Sequence, residues 1–124
     1  MLESSDLVAF VATTDLDRAR VFYGEVVGLP VIEESPFACV FDANGTQLRV
    51  TPVDEIRTAP YTVLGCVVDD IVTAVKALGA TGVTFERFAG MDQDDIGVWA
   101  SPSGARVVWF TDTDGNVLSL TQTR

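Results

Sequence analysis

Two stretches of the chain carry the same alternation of apolar and polar positions around a turn. In RVVWFTDTDGNVLSLT (106–121), the strand-forming Val107, Val108, Trp109 and Phe110 lead into the polar turn DTDGN. Beyond it, Leu118 and Leu120 alternate with Val117, Ser119 and Thr121, which gives one apolar face and one mixed face. FACVFDANGTQLRVT (37–51) repeats the design, with a turn at 42–45, Leu48 and Val50 on one face and Gln47, Arg49 and Thr51 on the other. Placing Gly45 over Gly115 puts Arg49 over Ser119. The pattern predicts a duplicated β-hairpin.

The stretches ahead of each hairpin also match. Residues 7–12 (LVAFVA) read as a strand buried between two layers, because both faces are apolar. Asp15 stands at a helix N-cap, Leu16, Ala19, Phe22, Tyr23 and Val26 recur at helical spacing, and Gly28 ends the run. Residues 29–33 form the next predicted strand, and Ser35-Pro36 a turn. In the second half, residues 61–68 are the strand and Asp70 the cap. Ile71, Ala74, Val75 and Leu78 make the helical stripe, and Gly82 precedes a strand over 83–88. An insertion at 89–103 begins with the acidic loop MDQDD and includes an extra candidate strand at 96–100, closed by a turn at 102–104.

These elements predict an α+β fold of two tandem β-α-β-β-β units, 5–52 and 60–123, joined by a proline-bounded linker over 52–60 in one domain of 124 residues. The units are expected to share one curled, roughly eight-stranded mixed sheet with both helices on its convex face and a cleft on the other. If the hairpin residues opposite the leucines face inward, the lining comprises Val8, Phe10, Phe37, Cys39, Phe41, Gln47, Arg49, Thr51, Val63, Gly65, Val67, Trp109, Val117, Ser119 and Thr121. Phe10, Phe37, Phe41 and Trp109 would give that cleft an aromatic wall suited to a ligand. Phe22 and Tyr23 read as core, and Trp99 as either a lid or an anchor for the insertion.

Composition narrows the function. At 48% hydrophobic residues and a mean hydropathy of +0.29, the chain can bury a core without metal or disulfides. Eighteen acidic against eight basic residues, net −10, argues against nucleic acid and anionic membrane surfaces. No apolar run is long enough to span a bilayer, and the start MLESSD has neither a basic leader nor a signal core, so a cytoplasmic protein is expected. In that compartment Cys39 and Cys66, both in apolar runs, are expected to be reduced and buried. Histidine is absent, which removes the commonest metal ligand and general base.

The segments DLDRARVFYGEVVGLPV (15–31), VVDDIVTAVKALGATGV (67–83) and DTDGNVLSL (112–120), in this order, resemble the vicinal oxygen chelate superfamily, also described as glyoxalase/bleomycin-resistance/dioxygenase-like. The third resembles that superfamily's closing D-P-D-G-N turn, with Thr113 in place of proline. The resemblance implies the fold. In metal-dependent members it also implies ligands on the first and last strands of each unit, usually histidines and glutamates. The matching positions here are Val8, Arg49, Val63 and Ser119, none a useful ligand, and Arg49 would repel a cation. No metal and no cofactor is therefore expected. Asp112 and Asp114 lack the remaining carboxylates of a calcium loop and read as a turn, and Asp92, Asp94 and Asp95 read as a solvated loop.

The reading that follows is a metal-free small-molecule-binding protein, sequestering a drug-like or secondary-metabolite ligand as antibiotic-binding members of the superfamily do. Its expected ligand-binding residues are Phe10, Phe37, Phe41, Gln47, Arg49, Val63, Trp109 and Ser119, for an apolar or aromatic ligand that is anionic or carbonyl-bearing if Arg49 meets it. The alternative is a metal-independent isomerase or lyase in which Arg49 stabilises an oxyanion and Glu33, Glu34, Asp42, Tyr23 or Cys39 supplies a base. A third is an interaction module whose cleft is filled by its own side chains. Arg49 either meets the ligand or pairs with an internal carboxylate such as Glu33 or Asp42. A homodimer is expected, because free strand edges invite a partner.

Overall fold

A computed structural model describes residues 1–124. The chain forms two compact units, Met1–Arg57 and Thr58–Arg124. Eight strands and two helices give the α+β class, and the strands fall into two mixed four-stranded sheets, one per unit. No helix is long and apolar enough to cross a membrane.

In the first unit, β1 (Val8–Thr13), β2 (Val31–Ser35), β3 (Ala38–Ala43) and β4 (Thr46–Pro52) order as β1-β4-β3-β2, with β1 parallel to β4 and the other pairs antiparallel. Helix α1 (Leu16–Val21) starts where the Asp15 carboxylate accepts the Arg18 amide at 3.0 Å. It widens into a π-helical turn over Phe22–Val26, where the Val27 amide reaches back to the Phe22 carbonyl, and it stops at Gly28. The widened turn drops Tyr23 onto Phe41, ring centroids 6.0 Å apart, and Val11, Leu48 and Val50 complete the core on that face.

In the second unit, β5 (Leu64–Val67), β6 (Trp99–Ala100), β7 (Arg106–Thr111) and β8 (Val117–Gln122) order as β5-β8-β7-β6. Helix α2 (Ile71–Ala80) is capped twice. Asp70 accepts the Thr73 amide, and the Gln122 side chain at the end of β8 accepts the Ile71 amide at 2.9 Å. Ile71 and Val75 bury against the face that carries Val108, Phe110, Leu118 and Leu120.

The two hairpin turns differ in kind. In the first, Asn44 and Gly45 both have positive φ, the two-residue turn whose twist suits antiparallel strands, and the Asp42 carboxylate accepts the Gly45 amide at 2.8 Å. In the second, the buried Asp112 carboxylate accepts the amides of Asp114 and Asn116 and the Asn116 side-chain N–H, at 2.8–2.9 Å. This turn is stitched by one side chain, as the turn reading of DTDGN requires.

Several expectations need correction. Residues 83–88 do not form a ladder strand. Phe85 makes an isolated bridge to Phe110, and the fourth strand of this sheet is instead the candidate expected within 96–100 of the insertion, which spans Trp99–Ala100. β1 is buried on one face only, since Phe10 is 63% exposed. Cys66 is exposed rather than buried, while Cys39 is buried, and both are free thiols. Burial pushes the Cys39 thiol pKa up, with Glu34 adding to the shift and Arg20 opposing it.

Candidate functional site

Directly paired residues on neighbouring strands share a face, so the registers define what each sheet presents away from its helix. In the first sheet one row on this far face runs Phe10, Arg49, Val40, Glu33, and the row beside it runs Val8, Gln47, Asp42. Phe10 stands out from the surface, Val40 is buried, and Arg49 is half-buried between them. The Arg49 guanidinium makes no hydrogen bond or ion pair with the chain. The Asp42 carboxylate is committed to Gly45, Glu34 pairs with Arg20 on the other face, and Glu33 lies beyond Val40 without reaching Arg49. Arg49 is thus not answered by an internal carboxylate.

In the second sheet the matching row runs Gly65, Ser119, Trp109, and the next runs Val67, Thr121, Val107, Trp99. Trp109 touches two more aromatic rings. Phe88 meets it edge-on at 5.4 Å, and Trp99 lies at 6.1 Å and 40°. Ser119 is 9% exposed, and its hydroxyl has no hydrogen-bond partner in the chain. Gly65 leaves room beside that hydroxyl, because a Cβ built there would meet Ser119 Oγ at 3.0 Å. Val63 and Val67 are exposed beside it.

Of the site residues expected from sequence, Phe10, Gln47 and Arg49 do come together on the far face of the first sheet, and Trp109 and Ser119 on that of the second, with Val63 just ahead of β5. Phe37 is 81% exposed in the β2–β3 turn rather than on a strand face. Phe41 is the misplaced residue. It is fully buried under Tyr23 on the helix side, and Cys39 shares that side. Alternation fails there because all four residues from Ala38 to Phe41 are apolar and buried, so the sequence carries no phase. Tyr23 and Cys39, weighed as bases, therefore lie across the sheet from Arg49.

The insertion carries site residues that periodicity missed. Gln93 uses its whole amide, accepting the Phe88 N–H and donating to the Glu86 and Gly97 carbonyls at 2.8–3.0 Å. Asp94 accepts the Ile96 and Val98 amides, and Arg87 donates to the Asp94 and Asp95 carbonyls. The acidic loop is a stitched frame that delivers Phe88 and Trp99 to Trp109, so Trp99 belongs to an aromatic cluster. The excess of Asp and Gln at 92–95 was its one legible signal.

The family's metal chemistry does not fit these residues. Val8 and Val63 have no donor atom, Arg49 is cationic, and Ser119 offers one neutral hydroxyl. Nowhere do three His, Cys, Asp or Glu side chains converge as a metal site.

The sequence model of the Glyoxalase/Bleomycin resistance protein/Dioxygenase superfamily matches residues 6–120. The chain belongs to that superfamily. Among solved glyoxalase-superfamily structures, a member from Sphaerobacter thermophilus DSM 20745 is similar at TM-score 0.77 and 22% identity, covering 98% of this chain and 99% of its own. Lactoylglutathione lyase from Agrobacterium tumefaciens is similar at TM-score 0.73 and 19% identity, over 96% of this chain and 93% of its own. TnmS3, an antibiotic binding protein from Streptomyces sp. CB03234, is similar at TM-score 0.70 and 26% identity, over 98% of both chains. No curated protein sequence matches. The first two similarities establish the glyoxalase-superfamily fold and nothing of chemistry.

Proposed function

We propose that this superfamily member is a metal-free small-molecule-binding protein that takes an apolar or aromatic ligand bearing an anionic or carbonyl oxygen. The observation that carries this reading is Arg49, a half-buried residue whose guanidinium has no partner in the chain and which pairs across strands with the exposed Phe10. A planar cation placed among apolar groups is a ready receptor for a carboxylate or enolate, which it can grip through two N–H groups. The similarity to TnmS3, an antibiotic binding protein, supports sequestration of a drug-like or secondary-metabolite ligand. An isomerase or lyase would need a base, and none stands beside Arg49. Glu33, on the same face, lies across the intervening strand, and Asp42 is engaged by the Gly45 amide.

A thermal-shift screen with benzoate, 1-naphthoate and indole-3-acetate tests this reading, since a ligand held only by the native state raises the apparent stability. The aromatic acids should stabilise the wild type, and Arg49→Met should remove that shift while its own unfolding stays within about 0.5 kcal/mol of wild type. Unchanged shifts in Arg49→Met, together with a loss of stability, would show that the guanidinium is structural. Dialysis against zinc, nickel or manganese should leave less than about one equivalent bound, as the donor set requires; a stoichiometric metal lost in Ser119→Ala would overturn the metal-free reading. β1 and β5 are edge strands that expose Val8, Phe10 and Val67, so a homodimer belongs to the same proposal. Light scattering that shows a monomer at every concentration would remove it.

A further inference from the structure

We propose that Gly65, Ser119 and Trp109, walled by Phe88 and Trp99, form a subsite for a planar aromatic ring carrying one neutral hydrogen-bonding oxygen, as in a phenol or a quinone. The inference rests on the reading that this chain binds small molecules, but not on Arg49, which belongs to the other unit.

Ser119 is the one hydroxyl in the row, nearly enclosed by its neighbours, and the chain supplies it no partner. A hydroxyl that sheds most of its water gains from an incoming donor or acceptor, and, being able to act as either, it suits a phenol O–H as well as a carbonyl. On its β5 side Gly65 offers no side chain, so nothing from that strand covers the space a Cβ would fill 3.0 Å from the hydroxyl. On its β7 side the directly paired residue is Trp109, whose ring packs with Phe88 and Trp99 into one aromatic wall.

That wall is extended and fixed. Trp99 continues it at a 40° tilt, and Phe88 buttresses it edge-on. Gln93 holds both additions: its amide binds the Phe88 backbone, and its own backbone bridges to Trp99. A ring entering beside such a wall stacks or packs edge-to-face without having to order the protein first. The floor and walls of this row and its neighbour carry no charged side chain, since Val67, Thr121, Val107 and the two tryptophans complete it. A neutral ring with one polar atom is therefore a better match than an aromatic acid.

The chain has two tryptophans, and both belong to this cluster, so their indole N–H resonances report on the subsite alone. Nuclear magnetic resonance titration with 2-naphthol and with 2-methylnaphthalene, which has nearly the same shape without the hydroxyl, separates the ring from the oxygen. Both compounds should shift the two indole signals, and 2-naphthol should bind about fivefold to tenfold more tightly, the worth of one neutral hydrogen bond. Ser119→Ala should bring the two affinities together, Gly65→Val should weaken both by closing the recess, and Trp99→Ala should weaken both by about tenfold. Equal affinities in the wild type overturn the proposal without requiring any variant to fold, and a preference that survives Ser119→Ala overturns it as well. If 1-naphthoate binds in an Arg49-dependent way while neither neutral ring shifts the indoles, the subsite is refuted and the small-molecule reading stands. If the neutral rings bind and the acids do not, the Arg49 reading fails and the subsite stands.

Discussion

The two units are built alike on one face and opposed on the other. Towards the helices both last strands present a pair of apolar residues, Leu48 and Val50 in the first unit and Leu118 and Leu120 in the second, all buried. Away from the helices the matching rows read Phe10–Arg49–Val40 and Gly65–Ser119–Trp109. The first has its aromatic residue on the edge strand, a cation in the centre and an aliphatic beyond. The second has a gap on the edge strand, a neutral hydroxyl in the centre and an aromatic wall beyond. Packing under a helix constrains one face of a strand to interchangeable apolar residues. The face that meets no helix is left free to carry different chemistry in each copy.

The sharpest way to break this comparison is to exchange the importance of the two faces. Phe41→Ala empties a fully enclosed site beneath Tyr23 and should cost about 3–5 kcal/mol in urea unfolding, whereas Phe10→Ala should change stability by less than about 0.5 kcal/mol. Comparable losses would mean that Phe10 is a core residue and the far face is not free.

Phe41 also shows where sequence reading stops. On β4, and on β8 beyond Val117, a polar residue stands at every second position, so the helix-facing side and the placement of Arg49 and Ser119 could be read directly from the chain. On β3 every residue from Ala38 to Phe41 is apolar, so the period-two signal vanishes and only tertiary packing chooses the face. Apart from the strand expected within 96–100, which appears as Trp99–Ala100, the insertion escaped for a different reason. Its shape comes from side-chain-to-backbone bonds of Gln93, Asp94 and Arg87, which leave no periodicity behind. The caps at Asp15 and Asp70 and both hairpin turns were legible because each needs particular residue types within a few positions.

The two turns extend the comparison with a smaller effect. Asp112→Ala removes the acceptor for three N–H groups in a buried turn and should cost about 2–3 kcal/mol, against about 1 kcal/mol or less for Asp42→Ala in the exposed one. Matched losses would show that the first turn is no freer than the second.

Smaller again is the effect expected on the edge strand of the second unit. Gly65→Ala places a methyl 3.0 Å from Ser119 Oγ, a contact that the hydroxyl must move to accommodate, and should cost about 1 kcal/mol. In Ser119→Ala the obstacle is gone, so the same change should be nearly free, with a coupling of about 0.5–1 kcal/mol in a double-mutant cycle. An additive pair would place the recess elsewhere.

The mildest test concerns the second helix. The backbone N–H and side chain of Thr73 hold the Asp70 carboxyl below its usual range. A carboxylate whose folded pKa is depressed adds stability above its unfolded value of 3.8 and loses it as pH falls through the lower folded value. Asp70→Ala should therefore melt earlier than wild type at pH 7, and the two curves should converge only in acid below that value. A difference independent of pH would assign the cap's effect to shape rather than charge.

The unequal burial of the two thiols has a practical consequence. Burial shifts both thiols towards the unreactive protonated form, but Cys39 is 3% exposed while Cys66 lies open on an edge strand directly after Gly65, so access separates them. A maleimide dye added to the native protein should attach at one position only, without any engineering. Because the Cys66 side chain points away from the face that carries Ser119, the label would sit behind the recess rather than in it. The chain thus carries its own attachment point for a fluorescent sensor, one strand away from the atoms whose occupancy it would report.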